Sequence, residues 1–198
     1  MIQILELIKH FVLGIASAIL FTTIAMSEIT NTKEYAKAYR EVQQEYPEGS
    51  FQREAPIALG ATNAYLETNG FGFEGAPTAK AANNFHGMHA SSNYIKDNPN
   101  KFMTTTGGAN LRKYDNMKDS IRGYLNLLAT DDRYEDVRKA QGKGVEAMFK
   151  GMSAYAQDPN YVEKLLSVYK NQIKAVLETQ NMLVPKVKPL DQQMNNLK

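Results

Sequence analysis

The sequence predicts a mainly α-helical fold of α+β class carrying one small β-hairpin lobe. Three observations lead there. Apolar residues recur at helical spacing through most of the chain, strand-compatible runs are confined to Lys101–Thr106 and Asn110–Tyr114, and Gly107-Gly108 between those runs reads as a hairpin turn. At 198 residues the chain accommodates one domain with a sizeable core, plus appendages.

The first element is apolar. His10 to Ser27 contains no Asp, Glu, Lys or Arg, and about 18 such residues lie near the lower limit for crossing hydrocarbon as a helix. Residues 1–27 are therefore expected to form a transmembrane anchor or a signal segment. For an anchor, Lys9 favours a cytoplasmic amino terminus, so that the remainder faces outward. For a cleaved signal, Thr23 and Ala25 offer small residues before a cleavage site, although Glu6 weakens the positive region that should precede it. A buried helix in a multiprotein particle is the third reading.

Residues 28–50 follow, with a helix expected from about Lys33 to Tyr46 and ended by Pro47 and Gly49, either a spacer or the first helix of the domain. The domain proper is expected over residues 51–181. It opens with the uncharged helical stretch Pro56–Leu66, in which Pro56 suits the first turn and Gly70 the position just past the end. Gly60, Ala64 and Glu67 share one side of it while Leu59 and Leu66 lie on the other, so most faces look buried. From Phe73 to Asn100 the chain is loop-like, and the hairpin follows.

Helical spacing resumes at Ile121, Tyr124, Leu125 and Leu128, with Asp115 or Asn116 as N-cap. Tyr134 and Val137 mark a shorter helix, and Val145, Met148, Phe149 and Met152 another. Asp158-Pro159 is expected to open the last one, with Leu165, Leu166, Tyr169, Ile173, Val176 and Leu177 as its buried face. Residues 182–198, with Pro185 and Pro189, read as an exposed tail.

Composition narrows the function classes. Lys plus Arg number 23 against 21 Asp plus Glu, without the clustered basic footprint of a nucleic-acid binder; a carbohydrate or protein partner stays open. With no cysteine, disulfides, thiolate metal sites and Cys nucleophiles are excluded. His86 and His89 form a His-x-x-His pair, but in a Gly-containing loop with no third ligand of recognisable spacing, so they read as flanking a groove rather than holding a metal. No metal or cofactor is implied.

Glu67 is the candidate for chemistry. It is a lone carboxylate in the last turn of a helix, where the unpaired carbonyls form the negative end of the dipole and raise its proton affinity, more so if water is excluded. Such a group can serve as a general acid. The plainer alternative is a helix-end Glu paired with a Lys or Arg, or pointing into solvent.

Four segments in order resemble the glucosaminidase family, glycoside hydrolase family 73 with its Bax-like branch, in the lysozyme-like superfamily. NAYLETNGFG resembles the end of that family's catalytic helix and places its acid at Glu67. AKAANNFHGM is similar to a segment in which paired Asn residues precede an aromatic and a Gly, matched here by Asn83, Asn84, Phe85 and Gly87. The stretch from Asn110 to Arg138 resembles the aromatic-Asp turn and following helix through Tyr114, Asp115, Ser120, Ile121 and Tyr124. GMSAYAQDPNYVEKLLSVY resembles the closing motif through Tyr155, Ala156, Asp158, Pro159, Tyr161 and Leu165.

The resemblance spans roughly Gln52 to Lys170 and implies a lysozyme-like catalytic domain. It further implies an endo-β-N-acetylglucosaminidase acting on peptidoglycan, with Tyr155 near the acid as a catalytic residue that orients the sugar or stabilises the transition state, and Asn83, Asn84, Phe85, Gly87 and Tyr114 shaping the substrate site. One departure stands out: many members carry a second carboxylate near a Thr-rich strand, and the matching MTTTGG has none. Asp97 is the candidate for that role; alternatively the 2-acetamido group of the sugar attacks its own anomeric carbon.

A lytic transglycosylase is the nearest enzymatic alternative. A non-catalytic wall-binding or assembly component of an envelope machine or phage particle is the alternative of another kind. The expected location is membrane-anchored and facing the periplasm or exterior, or else secreted or virion-associated. The expected partners are peptidoglycan glycan strands, the membrane through the N-terminal helix, and envelope or virion assembly proteins.

Overall fold

The structure, a computed structural model, describes residues 26–181. The expected tail over 182–198 lies outside them, as does all but the end of the expected anchor or signal segment over 1–27. Among the described residues no helix is long and apolar enough to cross a membrane.

Helix α1 is described over residues 26–43, beginning and ending earlier than the composition predicts. Tyr35, Ala36, Tyr39 and Val42 are all fully buried in the main core, so of the two roles open to this segment it takes that of a domain helix. Its charged residues lie on the exposed and half-exposed faces, the division of an amphipathic helix against a globular core, while the polar Thr32 and Gln43 are buried. A one-turn helix α2, Phe51–Glu54, is capped by Ser50, whose hydroxyl accepts from the Arg53 amide.

Helix α3, Ile57–Thr68, is the central rod, buried continuously from Ile57 to Ala64. It ends as its sequence predicts. Asn69 takes the left-handed conformation and the Gly70 amide, also at positive φ, returns to the Tyr65 carbonyl at 2.9 Å. Gly60 permits α1 to lie close against α3, since a side chain there would collide with the rings of Tyr39 and Tyr35.

Short helices α4, Pro77–Ala81, and α5, Ser92–Asp97, flank the loop that carries His86. The hairpin pairs β1, Phe102–Thr104, with β2, Asn110–Arg112, antiparallel and with Met103 opposite Leu111. Phe73, Ala79 and Leu111 form a small separate cluster under this lobe.

Helix α6, Met117–Thr130, buries Ile121, Tyr124, Leu125 and Leu128, the four its spacing selects. Its cap is Asn116, whose side chain accepts from the Asp119 amide, while Asp115 pairs with Lys101 at 2.8 Å. Helices α7, Glu135–Lys139, and α8, Val145–Lys150, complete the wall around α3.

The last helix begins later than the Pro signal predicts. Asp158 accepts from the Asn160 amide in a tight turn, and α9 runs over Tyr161–Val168. A π-helical turn, Tyr169–Ile173, joins it to α10, Lys174–Thr179. Leu165, Tyr169, Ile173 and Leu177 are buried, whereas Leu166 and Val176 of the expected face are half-exposed.

Candidate active site

The carboxylate of Glu67 sits where α3 ends, half-buried, with α9 and the loop 82–88 around it. Its proton affinity is raised, chiefly because burial penalises the charged form; the hydrogen bond donated by Tyr161 opposes this. Among the described residues no cation pairs with it, so it is not the helix-end ion pair that its position also allowed.

The two oxygens have different neighbours. Oε1 accepts from the Tyr161 hydroxyl at 2.7 Å. Oε2 faces Gly87, which holds φ +61° and has no room for a side chain on that side. A protonated Glu67 can keep its proton on Oε2 while Oε1 stays occupied, the arrangement a general acid needs.

Tyr155 stands nearby, stacked on Tyr161 with ring centroids 5.8 Å apart and planes 10° from parallel. Its hydroxyl donates to the His86 carbonyl at 2.6 Å, so it braces the turn in front of Gly87 and does not reach Glu67. The hydroxyl on the acid belongs to Tyr161, a residue of the closing motif that carries no separate signal in the sequence. Asn63 was equally unmarked, though its position four residues before Glu67 places it on the same helix face.

The paired asparagines build the loop. Asn84 is fully buried; its amide nitrogen donates to the carbonyls of Met88 and Arg112 at 2.8 and 3.0 Å, and its oxygen accepts from the Met88 amide at 3.0 Å. With both ends of its amide consumed by backbone, it clamps the loop instead of meeting a sugar. Asn83 takes positive φ and donates to the carbonyls of Tyr114 and Asp115 at 3.1 and 3.2 Å. The Phe85 amide donates to Ser120 at 3.1 Å while its ring meets Phe73 edge-on at 5.0 Å.

The two histidines separate. His86 is fully buried and stacked on Tyr124 with centroids 4.0 Å apart, so it belongs to the core and not to a groove wall. Burial lowers its pKa to about 3, leaving a neutral ring. His89 is exposed and bridges to Leu111 through its backbone. Among the described residues no group of three or more His, Asp or Glu could hold a metal.

Tyr114 is buried, its hydroxyl 3.6 Å from the Met88 sulfur. It also lines an open cleft of about 470 Å³ with Tyr94, Arg112, Asn126, Leu127 and Asp131, where the Arg112 guanidinium lies 4.5 Å from the centre of the Tyr94 ring. None of the groups bonded to Glu67 lines this cleft. Asp97 is exposed at the end of α5, and no hydrogen bond or ion pair joins it to Glu67.

The fold is shared with solved glycoside hydrolases. The glycoside hydrolase domain of Salmonella typhimurium FlgJ is 25% identical, covering 83% of this chain and 98% of that domain with a TM-score of 0.53. The same fold, at lower identity, occurs in a peptidoglycan hydrolase mutant from Sphingomonas sp. A1, with 20% identity, 79% and 98% coverage and a TM-score of 0.51. It also occurs in the catalytic domain of the autolysin Auto from Listeria monocytogenes, with 17% identity, 81% and 86% coverage and a TM-score of 0.50. No curated protein sequence gives a match. The glucosaminidase family model, described as mannosyl-glycoprotein endo-beta-N-acetylglucosaminidase, matches residues 52–174, which include Glu67, Tyr155 and Tyr161, and the chain is therefore a member of the glucosaminidase family of glycoside hydrolases.

Proposed function

We propose that the protein is a peptidoglycan hydrolase that cleaves the glycan strand as an endo-β-N-acetylglucosaminidase, with Glu67 as its general acid. The observation that carries this reading is the asymmetric environment of the Glu67 carboxylate: burial raises its proton affinity, Tyr161 occupies Oε1, and Oε2 is left toward the Gly87 turn. Protonating the leaving oxygen requires an acid that still holds its proton near neutral pH and presents it in one direction. Family membership and the likeness to the FlgJ glycoside hydrolase domain support cleavage of a glycan, and the fold is shared with a peptidoglycan hydrolase from Sphingomonas sp. A1.

The second catalytic group is supplied by the substrate. Among the described residues no other carboxylate bonds to or shifts Glu67, which favours attack by the sugar's own 2-acetamido group once the leaving oxygen takes the proton. Phe85, Gly87 and Tyr155 shape the site, with Tyr155 acting through the His86 carbonyl. Peptidoglycan lies beyond the cytoplasmic membrane, so the domain works there; the apolar stretch His10–Ser27 would deliver or anchor it.

Zymography on purified peptidoglycan tests the assignment: wild type clears and Glu67→Gln does not. Equal clearing by both would remove Glu67 from the reaction. The same missing carboxylate suits a lytic transglycosylase, in which the muramic 6-hydroxyl captures the sugar. Mass spectrometry of the products separates the two, because reducing N-acetylglucosamine ends are expected and anhydro-muramic ends would establish the transglycosylase.

A further inference from the structure

Behind Glu67 runs a line of hydrogen bonds that crosses the core. Tyr161, which donates to Glu67 Oε1, accepts from Asn63 Nδ2 at 2.7 Å. The other end of that amide, Asn63 Oδ1, is 2.6 Å from His86 Nδ1, and His86 Nε2 is 2.9 Å from the Tyr35 hydroxyl on α1. Tyr35, Asn63 and His86 are all fully buried, and Tyr161 is 4% exposed.

The direction of this line follows from its chemistry. A carbonyl oxygen can only accept, so His86 carries its proton on Nδ1 and gives it to Asn63. A neutral ring then offers Nε2 as an acceptor, and Tyr35 must donate. Each residue from Tyr35 to Tyr161 donates once along the line, and every one of these donations points toward Glu67.

Reversing the line has an identifiable cost. The amide of Asn63 would turn over, His86 would move its proton to Nε2, and Tyr161 would donate to Asn63 while Glu67 donated to Tyr161. The hydroxyl proton of Tyr35 would then be orphaned in the core, a penalised state. With Tyr35 in place the forward direction wins.

We propose that Tyr35, His86 and Asn63 are positioning residues for the acid: through Tyr161 they hold Glu67 Oε1 as an acceptor, so that the catalytic proton is carried on Oε2. This rests on the reading of Glu67 as general acid. It assigns a role in the reaction to α1, which lies before the family-matched segment.

Two measurements on the full chain test it. The first is nitrogen-15 NMR of the wild-type His86 ring, which needs no variant; a neutral Nδ1–H tautomer is expected across about pH 5 to 8. An Nε2–H tautomer or an imidazolium there would overturn the relay. The second is the pH profile of Tyr35→Phe with peptidoglycan as substrate. Without the Tyr35 hydroxyl each direction leaves His86 Nε2 without its partner, as an acceptor in the forward sense and as a donor in the reverse. The preference therefore narrows, and a share of the protonated Glu67 can turn its proton to Tyr161.

That change stabilises the protonated acid while hiding its proton from the substrate. The variant should lose several-fold in kcat at unchanged KM, its alkaline limb should move to higher pH, and both His86 tautomers should appear. The titratable groups facing Glu67 are Tyr161 from α9, Tyr155 from the loop before it and Tyr124 from α6, each kept neutral by burial, so the limb reports Glu67 itself. A folded Tyr35→Phe protein with the wild-type profile and a single tautomer would overturn the proposal, as would a profile that stays put while only thermal stability falls. Retained activity in Glu67→Gln alongside the Nδ1–H tautomer would overturn the acid assignment alone, because the tautomer reports direction whichever residue does the chemistry.

Discussion

Gly87 stands directly over Glu67: a β-carbon at Gly87 would lie 3.0 Å from the carboxylate carbon and closer still to Oε2. The backbone of one loop is thus in contact with the candidate acid at the end of α3. Gly87→Ala should lower turnover by roughly 100-fold, because displacing a catalytic group by about an ångström costs that much. The positive φ adds strain of about 1 kcal/mol. Kinetics beside a denaturant melt would show the activity loss far exceeding the stability loss.

Glu67 should be a stability liability. Its pKa is raised in the fold, so the folded state binds its proton more tightly than the unfolded chain, and stability is lost as pH rises through the folded value. Glu67→Gln removes the buried charge. The inactive variant should be more stable by about 1 kcal/mol at pH 7, and this gain should disappear below about pH 4.5, where the unfolded carboxyl also holds a proton. Melting curves at both pH values check this.

His86 acts with the opposite sign. Its pKa of about 3 in the fold lies below the ordinary histidine value, so on acidification the unfolded chain takes up a proton that the folded one refuses. Stability should fall as pH drops from about 6.5 toward 3, by up to about 1.4 kcal/mol per pH unit from this residue. His86→Gln should flatten that slope in a pH series of chemical melts.

Tyr155→Phe should be felt through the backbone. Removing the hydroxyl frees the His86 carbonyl next to Gly87, at a stability cost of about 1 kcal/mol. Turnover should fall roughly tenfold as the turn over Glu67 loosens. A change confined to KM would place the hydroxyl on the substrate instead.

Asp97→Asn provides the control for a second carboxylate. Exposed at the end of α5 and unlinked to Glu67, Asp97 should be replaceable with activity held within about twofold. A loss comparable to that of Glu67→Gln, measured by release of reducing ends, would restore it as a catalytic partner.

The elements that local chemistry governs were legible in the chain. Pro56 and Gly70 bracket α3, Ile121 to Leu128 repeat at the spacing of α6, and Gly107-Gly108 turns the hairpin. Less legible was everything decided by packing between distant segments. The polar look of α1 hides Tyr35 and Tyr39, since two aromatic rings four residues apart suit an exposed helix as readily as a buried one.

The site shows the same division. Glu67 and its loop could be placed by motif, but His86 was expected beside a groove and lies in the core. Its partners Tyr35 and Asn63 are 51 and 23 positions away, and Asn63 meets Tyr161 across 98. A linear pattern carries spacing along one element; it does not say which side chains on three elements share a buried line of protons.

The position of α1 has a practical corollary for anyone cutting the gene. The family-matched segment starts at residue 52, yet the rings of Tyr35 and Tyr39, which lie before it, fill the main core beside Gly60. Deleting a buried aromatic side chain costs about 3–5 kcal/mol, and losing two would consume most or all of the roughly 5–15 kcal/mol that holds a domain together. The smallest autonomous cassette therefore begins upstream of the sequence signature that announces it, and a fusion joined at Gln52 would transplant the acid without the scaffold that keeps it folded.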